Sequence, residues 1–513
     1  MKKFLRKTLF CFAIAFVLMG CQTTPTQTVD VLPRTEVELT TNYNQLSIYQ
    51  IMVATFQDGD PSIGFRTGYG PGPFGGDLQG VIDSLDYVKS LGVNAIWLTP
   101  IFDTNENDKL AATGYYAYDY FNVDPHFGTN EKFAELVEKC HEKNMYIFLD
   151  GVFGHWGEKI APSPNGLRPT RSHSKYDGCD YPESLEFYKE VATYWITKYK
   201  IDGWRLDQCY QVGVSGHKTY TDGHNYWYEI RKAVEEACAQ NKAAGNEWGT
   251  LGYMVGECWD SSAYAIQKKV IDPGTANGYG LTSCFDFPSR YKLVEIFAQE
   301  AGGRSDQNLG KALSYVYKSA EEKGYKNPDG YYPNLFIDNH DLLRLGNLIN
   351  WKYHITKGNP MYWNIHKMAL ASIAAYTGPI TIYYGDEWGA YVYDYKARGD
   401  NGWYNDNVAR SPGKIDGFQT NQQNLVNYAK NLMTARSEHE ALWNGANETL
   451  LATEDFYASK KTTSNETIYV LINSGESSKK YNVGSTGKDL ITGLATESTV
   501  QISSYQAMYI KVQ

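Results

Sequence analysis

The most constraining feature of this chain is an alternation of short apolar runs with helix-period segments, sustained over about 400 residues. The first apolar run covers 46–53. A Gly/Pro-rich loop follows, and then Leu78, Val81, Ile82, Leu85, Val88 and Leu91 recur at helical spacing behind Asp77, a suitable N-cap. The same reading predicts strands at 94–102, 145–153, 201–208, 251–259, 282–287, 333–341 and 380–387. It predicts helices at 131–143, 183–200, 225–242, 364–378 and 421–443. Eight such units imply an α/β fold, a (β/α)8 barrel over 44–440, because each parallel strand needs a crossover helix to return the chain. After Trp443 the period changes to short alternating runs, as at 466–473 and 499–512, which predicts an all-β sandwich over 441–513.

The first 43 residues stand outside that pattern. Lys2, Lys3, Arg6 and Lys7 precede an uncharged run over 9–18, too short to span a bilayer comfortably, so 1–20 reads as a signal peptide. Leu18-Met19-Gly20-Cys21 resembles a bacterial lipobox, which implies cleavage before Cys21 and acylation of its thiol. A plain secretory peptide with an incidental Cys is the alternative. Residues 21–43, rich in Thr, Pro and Val, then read as a lipidated Cys and a flexible tether, with the protein exported and held at a bacterial membrane. The net charge of -10, with no basic stripe, excludes a nucleic-acid partner. Six cysteines remain past Cys21, at spacings that fit neither a zinc site nor a small disulfide scaffold.

A barrel places its chemistry at the C-terminal ends of its strands. Those ends carry Asp150 and His155 (third strand), Arg205 and Asp207 (fourth), Glu257 (fifth), and His340 and Asp341 (seventh). Any one of these is more often a salt bridge or a cap, but their convergence on one mouth is not. Arg205 and Asp207 are two apart on one strand, so both side chains face the same way and the guanidinium can keep the carboxylate ionised. Cys258 and Trp259 flank Glu257 and are expected to desolvate it, raising its pKa for general-acid work.

Asp150-Gly-Val-Phe-Gly-His155, Gly203-Trp-Arg-Leu-Asp207, Gly256-Glu257 and Phe336-Ile-Asp-Asn-His340-Asp341 resemble, in order, the four signature regions of the α-amylase superfamily of glycoside hydrolases. Gly114-Tyr115, a Gly-Gly-Asp-Leu motif at 75–78 and a Tyr-Gly-Asp-Glu motif at 384–387 add to the resemblance. It implies an α-glucan hydrolase that cleaves α-1,4 bonds with retention, using Asp207 as nucleophile, Glu257 as acid/base and Asp341 as transition-state stabiliser. Tyr115, Asp150, His155, Arg205, His340 and Arg344 would grip the sugar. Residues 155–182 would form a short domain B. A glucanotransferase or an α-1,6-glucosidase uses the same triad and stays open. A non-catalytic glucan-binding lipoprotein would be expected to have lost a triad carboxylate, and this chain keeps all three.

Departures from the family pattern limit the detail. Thr113 stands where many members have His, Gly154 where a calcium-binding Asn is usual, and Tyr210-Gln211 where Lys-His is common. Asp58, Asp60, Gly75 and Asp77 resemble the first-loop calcium site of neopullulanases and cyclomaltodextrinases, and oxygen ligands from two loop segments suit that ion. A solvated turn with Asp77 capping a helix explains the same residues equally well.

Overall fold

The computed structural model describes residues 28–72, 74–172, 178–212, 224–272, 274–275, 277–298, 308–326, 330–394 and 408–513. Seven parallel strands curl into one sheet: β1 (Ser47–Ile51), β2 (Ala95–Leu98), β3 (Tyr146–Gly151), β4 (Gly203–Leu206), β5 (Tyr253–Gly256), β6 (Ser283–Cys284) and β7 (Ile380–Tyr383). The order runs β6-β5-β4-β3-β2-β1-β7. The predicted strand at 333–341 is reduced to two bridges, Phe285 to Asn334 and Leu335 to Ile380, which close the ring between β6 and β7. Pro333 has no N–H to offer there, and the chain turns away after Leu335 toward the mouth. The result is the expected (β/α)8 barrel with one stave held by very few bonds.

The predicted helix behind Asp77 is real but broken. Asp77 caps Leu78–Asp83 by accepting from the Gly80 N–H, and a second helix, Leu85–Ser90, restarts after Ser84. The Ser84 hydroxyl bonds back to the Gly80 carbonyl at 2.6 Å, a competitor for the helix's own ladder. The helix predicted at 421–443 likewise ends at Glu438, and a separate turn, Glu440–Asn444, follows. Beyond it lie a six-stranded sheet and a two-stranded ribbon, both antiparallel.

The expected tether lies partly outside the described residues, as do the signal peptide and Cys21. From residue 28 the segment is not free. Val29 and Leu32 donate backbone N–H groups to Asn424 and Asn431, and Asn427 and Asn431 donate to the carbonyls of Val29 and Asp30. All three asparagines belong to the helix Thr420–Glu438, whose side chains satisfy the backbone of a segment outside any regular element. Among the described residues, the six predicted cysteines are buried free thiols.

Candidate active site

Register brings the first two polar side chains together. Asp150 on β3 pairs with Arg205 on β4, and Asp207 and Glu257 follow immediately after β4 and β5. Arg205 is 1% exposed and is the hub of the mouth. Its Nη1 donates to both Asp150 oxygens at 2.8 and 2.9 Å and to Asp207 Oδ1 at 3.0 Å, while Nη2 lies 2.7 Å from Glu257 Oε1. The Trp97 and Tyr115 rings cover the guanidinium from 5.2 and 5.9 Å. The period-two argument for Arg205 and Asp207 therefore holds in space.

Tyr115 closes the other side. Its hydroxyl donates to Asp150 at 2.8 Å and bonds His340, and the Tyr115 and His340 rings stack at 5.3 Å and 2°. Gly114 makes this approach feasible: its φ is 82°, and a Cβ there would strike the Pro100 carbonyl. Gln50 Nε2 donates to His340 Nδ1 at 2.7 Å, which leaves the proton on Nε2, 3.2 Å from Asp341 Oδ2. Burial pushes the His340 pKa down to about 3, so the ring is neutral.

Four carboxylates share this volume. Burial lifts Asp150 to about 8, Glu257 to about 7 and Asp207 to about 6, and in each case Arg205 opposes it. Asp341 differs. Burial is its largest influence and works upward, yet His340, Arg410 and Arg205 together hold it below the ordinary carboxylate range. Arg205 acts on Asp207 in the expected direction, but desolvation outweighs it, and Asp207 still ionises before Glu257. Desolvation raises Glu257 as expected, although not through both flanking residues. Cys258 is buried, but Trp259 is 42% exposed and contributes a hydrogen bond, its Nε1–H donating to Glu257 Oε1 at 2.7 Å.

His155 sits 4% exposed at the entrance to 155–182, with Nδ1 on Gln211 Oε1 at 2.9 Å, and burial lowers its pKa. The described part of this expected domain B is loop, tied to the barrel by Cys179 N–H on the Gly154 carbonyl and Tyr181 OH on the Phe153 carbonyl. Arg344, expected to touch sugar, is not in the mouth. It is buried over the Tyr383 and Tyr384 rings and donates to Ser411 Oγ and the Tyr384 carbonyl. The arginine that reaches the mouth is Arg410, whose Nη2 donates to Asp341 Oδ1 at 2.9 Å. It arrives on a loop after β7 with no motif around it, and sequence reasoning missed it along with Gln50 and Gln208.

The first-loop residues do not fit calcium. Arg66 Nη1 occupies Asp58 Oδ2 at 2.5 Å, and its Nη2 takes the Pro61 and Ile63 carbonyls. Asp60 turns to Ser62, and Asp77 spends both oxygens on the N–H groups of Gly59, Asp60 and Gly80. A Cβ on Gly75 would collide with the same guanidinium, so the space between these groups is filled by a side chain that already carries the positive charge. Among the described residues no group of three or more His, Cys, Asp or Glu side chains is arranged to hold a metal ion.

Comparison with known proteins now decides the family. The family model described as alpha amylase, catalytic domain, matches residues 50–176 and 180–423. The chain belongs to the alpha-amylase family. It is a glycoside hydrolase. A cyclomaltodextrinase of Thermoanaerobacter pseudethanolicus is 29% identical over 466 residues, 83% of this chain and 69% of that protein. An intracellular maltogenic amylase of Bacillus subtilis is 30% identical over 345 residues, 62% of this chain and 49% of that one. Among solved structures, AmyP in complex with maltose superimposes with a TM-score of 0.81 at 38% identity, covering 92% of this chain and 97% of AmyP.

Proposed function

We propose that this glycoside hydrolase cleaves α-1,4-glucosidic bonds of starch or maltodextrins by double displacement with retention. Asp207 is the nucleophile, Glu257 the acid/base and Asp341 the stabiliser of the oxocarbenium-like transition state. The observation that carries this reading is the asymmetry of Asp207. Oδ1 is held by Arg205, while Oδ2 is buried with no hydrogen-bond partner among the described residues, an oxygen oriented and desolvated for attack. Asp207 and Glu257 contact the two terminal nitrogens of one guanidinium, which keeps them on the order of 5 Å apart, the spacing of retaining rather than inverting enzymes. Tyr115, Asp150, His155, Arg205 and His340 form the sugar-facing wall, and the 42%-exposed Trp259 offers a stacking face at its rim. The names cyclomaltodextrinase, maltogenic amylase and cyclomaltodextrin glucanotransferase among the relatives support an α-glucan as substrate.

The mature chain is proposed to be anchored through an acylated Cys21. Only residues 22–27 separate that cysteine from the docked segment, a span of about 20 Å when extended, so the anchor would hold the barrel close to the bilayer.

The test of mechanism is Asp207→Asn with Glu257→Gln. Asp207→Asn should abolish turnover and keep substrate binding, whereas Glu257→Gln should spare the glycosylation step of an activated fluoride glycoside, whose leaving group needs little protonation. Proton NMR of fresh product should show the α-anomer first. A β-anomer, or near-wild-type Asp207→Asn, refutes the mechanism. Product analysis on starch, maltotriose, pullulan and cyclodextrin separates hydrolysis from transfer and α-1,4 from α-1,6 cleavage.

A further inference from the structure

Two of the family departures in this sequence touch each other. Gly154 ends the third-strand segment where Asn is usual, and Gln211 lies past the fourth strand where His is common. A Cβ placed on Gly154 would lie 2.5 Å from the Gln211 Cβ and closer still to its Oε1, well inside van der Waals contact with atoms near the stem of a buried side chain. Gly154 is not among the residues with positive φ, so its backbone does not require glycine. The three atoms such a Cβ would meet first all belong to Gln211.

Gln211 uses that space with a defined polarity. Its Nε2–H donates to Gln208 Oε1 at 3.2 Å, an oxygen that also accepts from Tyr210 OH at 2.7 Å. The amide is therefore turned so that Oε1 faces His155 Nδ1 at 2.9 Å, an acceptor that favours the proton on that nitrogen in a ring the Tyr115 backbone also meets. Gln208 in turn donates its backbone N–H to Glu257 Oε2 at 3.0 Å. A line of hydrogen bonds thus runs from His155 through Gln211 and Gln208 to the acid/base carboxyl. Arg205, the hub of the mouth, takes no part in it.

We propose that Gln211 is a positioning residue for His155. It fixes the ring's orientation and tautomer against the sugar, and Gly154 is the complementary gap that lets it do so. This rests on the reading above that His155 grips the sugar at the cleaved linkage. The bond acts through a group that meets the substrate, so its loss should fall on kcat more than on KM. It also couples the end of β3, the residues after β4 and the start of 155–182.

The experiment uses the full-length enzyme with Gln211→Met, Gly154→Ala, Gly154→Ala/Gln211→Ala, Gln211→Ala, His155→Ala and Gln211→Met/His155→Ala. Methionine keeps the length and volume of glutamine but offers no strong acceptor. Gln211→Met is expected to lower kcat about tenfold, one hydrogen bond's worth, with KM within about twofold and the melting temperature nearly unchanged. Combined with His155→Ala it should add nothing, because it acts through that ring. Gly154→Ala should lower both kcat and melting temperature, and Gln211→Ala in the same chain should relieve the loss of stability. Wild-type kcat in Gln211→Met while His155→Ala is impaired overturns the positioning role. So do losses in Gln211→Met and His155→Ala that multiply. Equal destabilisation by Gly154→Ala with and without Gln211 overturns the steric coupling. A wild-type rate in His155→Ala instead sinks the sugar-gripping role on which the proposal rests.

Discussion

Trp259→Phe isolates one influence on the acid/base carboxyl. Phenylalanine keeps an aromatic face at the rim but removes the Nε1–H that donates to Glu257 Oε1 at 2.7 Å. That bond favours the ionised carboxylate, so its loss raises the Glu257 pKa. A hydrogen bond to a charged group contributes about 1.5–3 kcal/mol, and the 42% exposure of Trp259 lets water replace part of it, leaving about 1 kcal/mol or about 0.7 pH units. With the proposed roles, the productive enzyme has Asp207 ionised and Glu257 protonated. Activity therefore rises as pH increases through the Asp207 value of about 6 and falls through the Glu257 value of about 7, with an optimum midway. In Trp259→Phe the alkaline limb should move up to about 7.7 and the acid limb should stay, so the optimum drifts toward pH 7 and the bell widens. The assay is kcat/KM on a maltooligosaccharide across roughly pH 4.5 to 9, which spans both limbs. An alkaline limb that stays in place, or moves down, refutes the claim that the indole N–H sets this carboxyl.

Four further outcomes follow. Arg410→Ala frees Asp341 from its 2.9 Å partner and should cut kcat about tenfold or more on all substrates, measured against an unchanged melting temperature. Chelation with EDTA should leave the melting temperature within about 1 °C, because Arg66 fills the first-loop space; a drop of several degrees would put a cation in the fold. Glu466, held to about 2 by His439, the Ala441 N–H and Lys511 despite opposing burial, contributes on the order of 2 kcal/mol at neutral pH. Its folded pKa is depressed, so that stability is fully present above the unfolded value and lost as pH falls toward about 2, and acid unfolding of Glu466→Gln should lack this component. Cys21→Ser should move the protein from membrane to soluble fractions at unchanged specific activity, and wild type found only in soluble fractions without acyl chains would refute the anchor.

What the sequence disclosed, and what it hid, divides along a physical line. Strand ends are local: Asp150, Arg205, Asp207 and Glu257 follow from period-two runs, and the parallel register then sets them side by side. His340 and Asp341 were legible for the same reason, although their stave makes only bridges. Arg344 shows where locality fails. Three residues past Asp341 the chain has already turned to start the helix Leu345–Tyr353, so its guanidinium points into the wall between Tyr383, Tyr384 and Ser411. Arg410 and Gln50 come from opposite ends of the barrel sequence, and nothing near either of them signals that it faces the mouth. The docked segment from Val29 was equally hidden, because the asparagines that satisfy its backbone lie about 400 positions away.

Charge counting explains why the mouth needs the arginine that the sequence did not announce. Asp150, Asp207, Glu257 and Asp341 lie in a volume with two guanidinium groups, Arg205 and Arg410, and a neutral His340. With all four carboxylates ionised the site would hold two uncompensated buried charges, a state that desolvation strongly penalises. Burial therefore keeps the cluster from ionising fully near neutral pH, and Asp207 takes a proton less readily than Glu257 does. Asp207 and Asp341 stay ionised, each against its own arginine, and the resting mouth is close to neutral. Such a site can bind an uncharged sugar without paying to bury a net charge. In the proposed mechanism, Glu257 gives up its proton as the glycosidic bond breaks, and positive charge grows at the anomeric carbon between the two remaining carboxylates. The attraction is then felt mainly in the transition state, which is the condition for it to raise kcat. Removing Arg410 should disturb this balance by letting Asp341 compete for a proton, so Arg410→Ala should lose activity more steeply toward acid pH than wild type. Parallel acid limbs in the two enzymes would show that Arg410 positions Asp341 without tuning its charge.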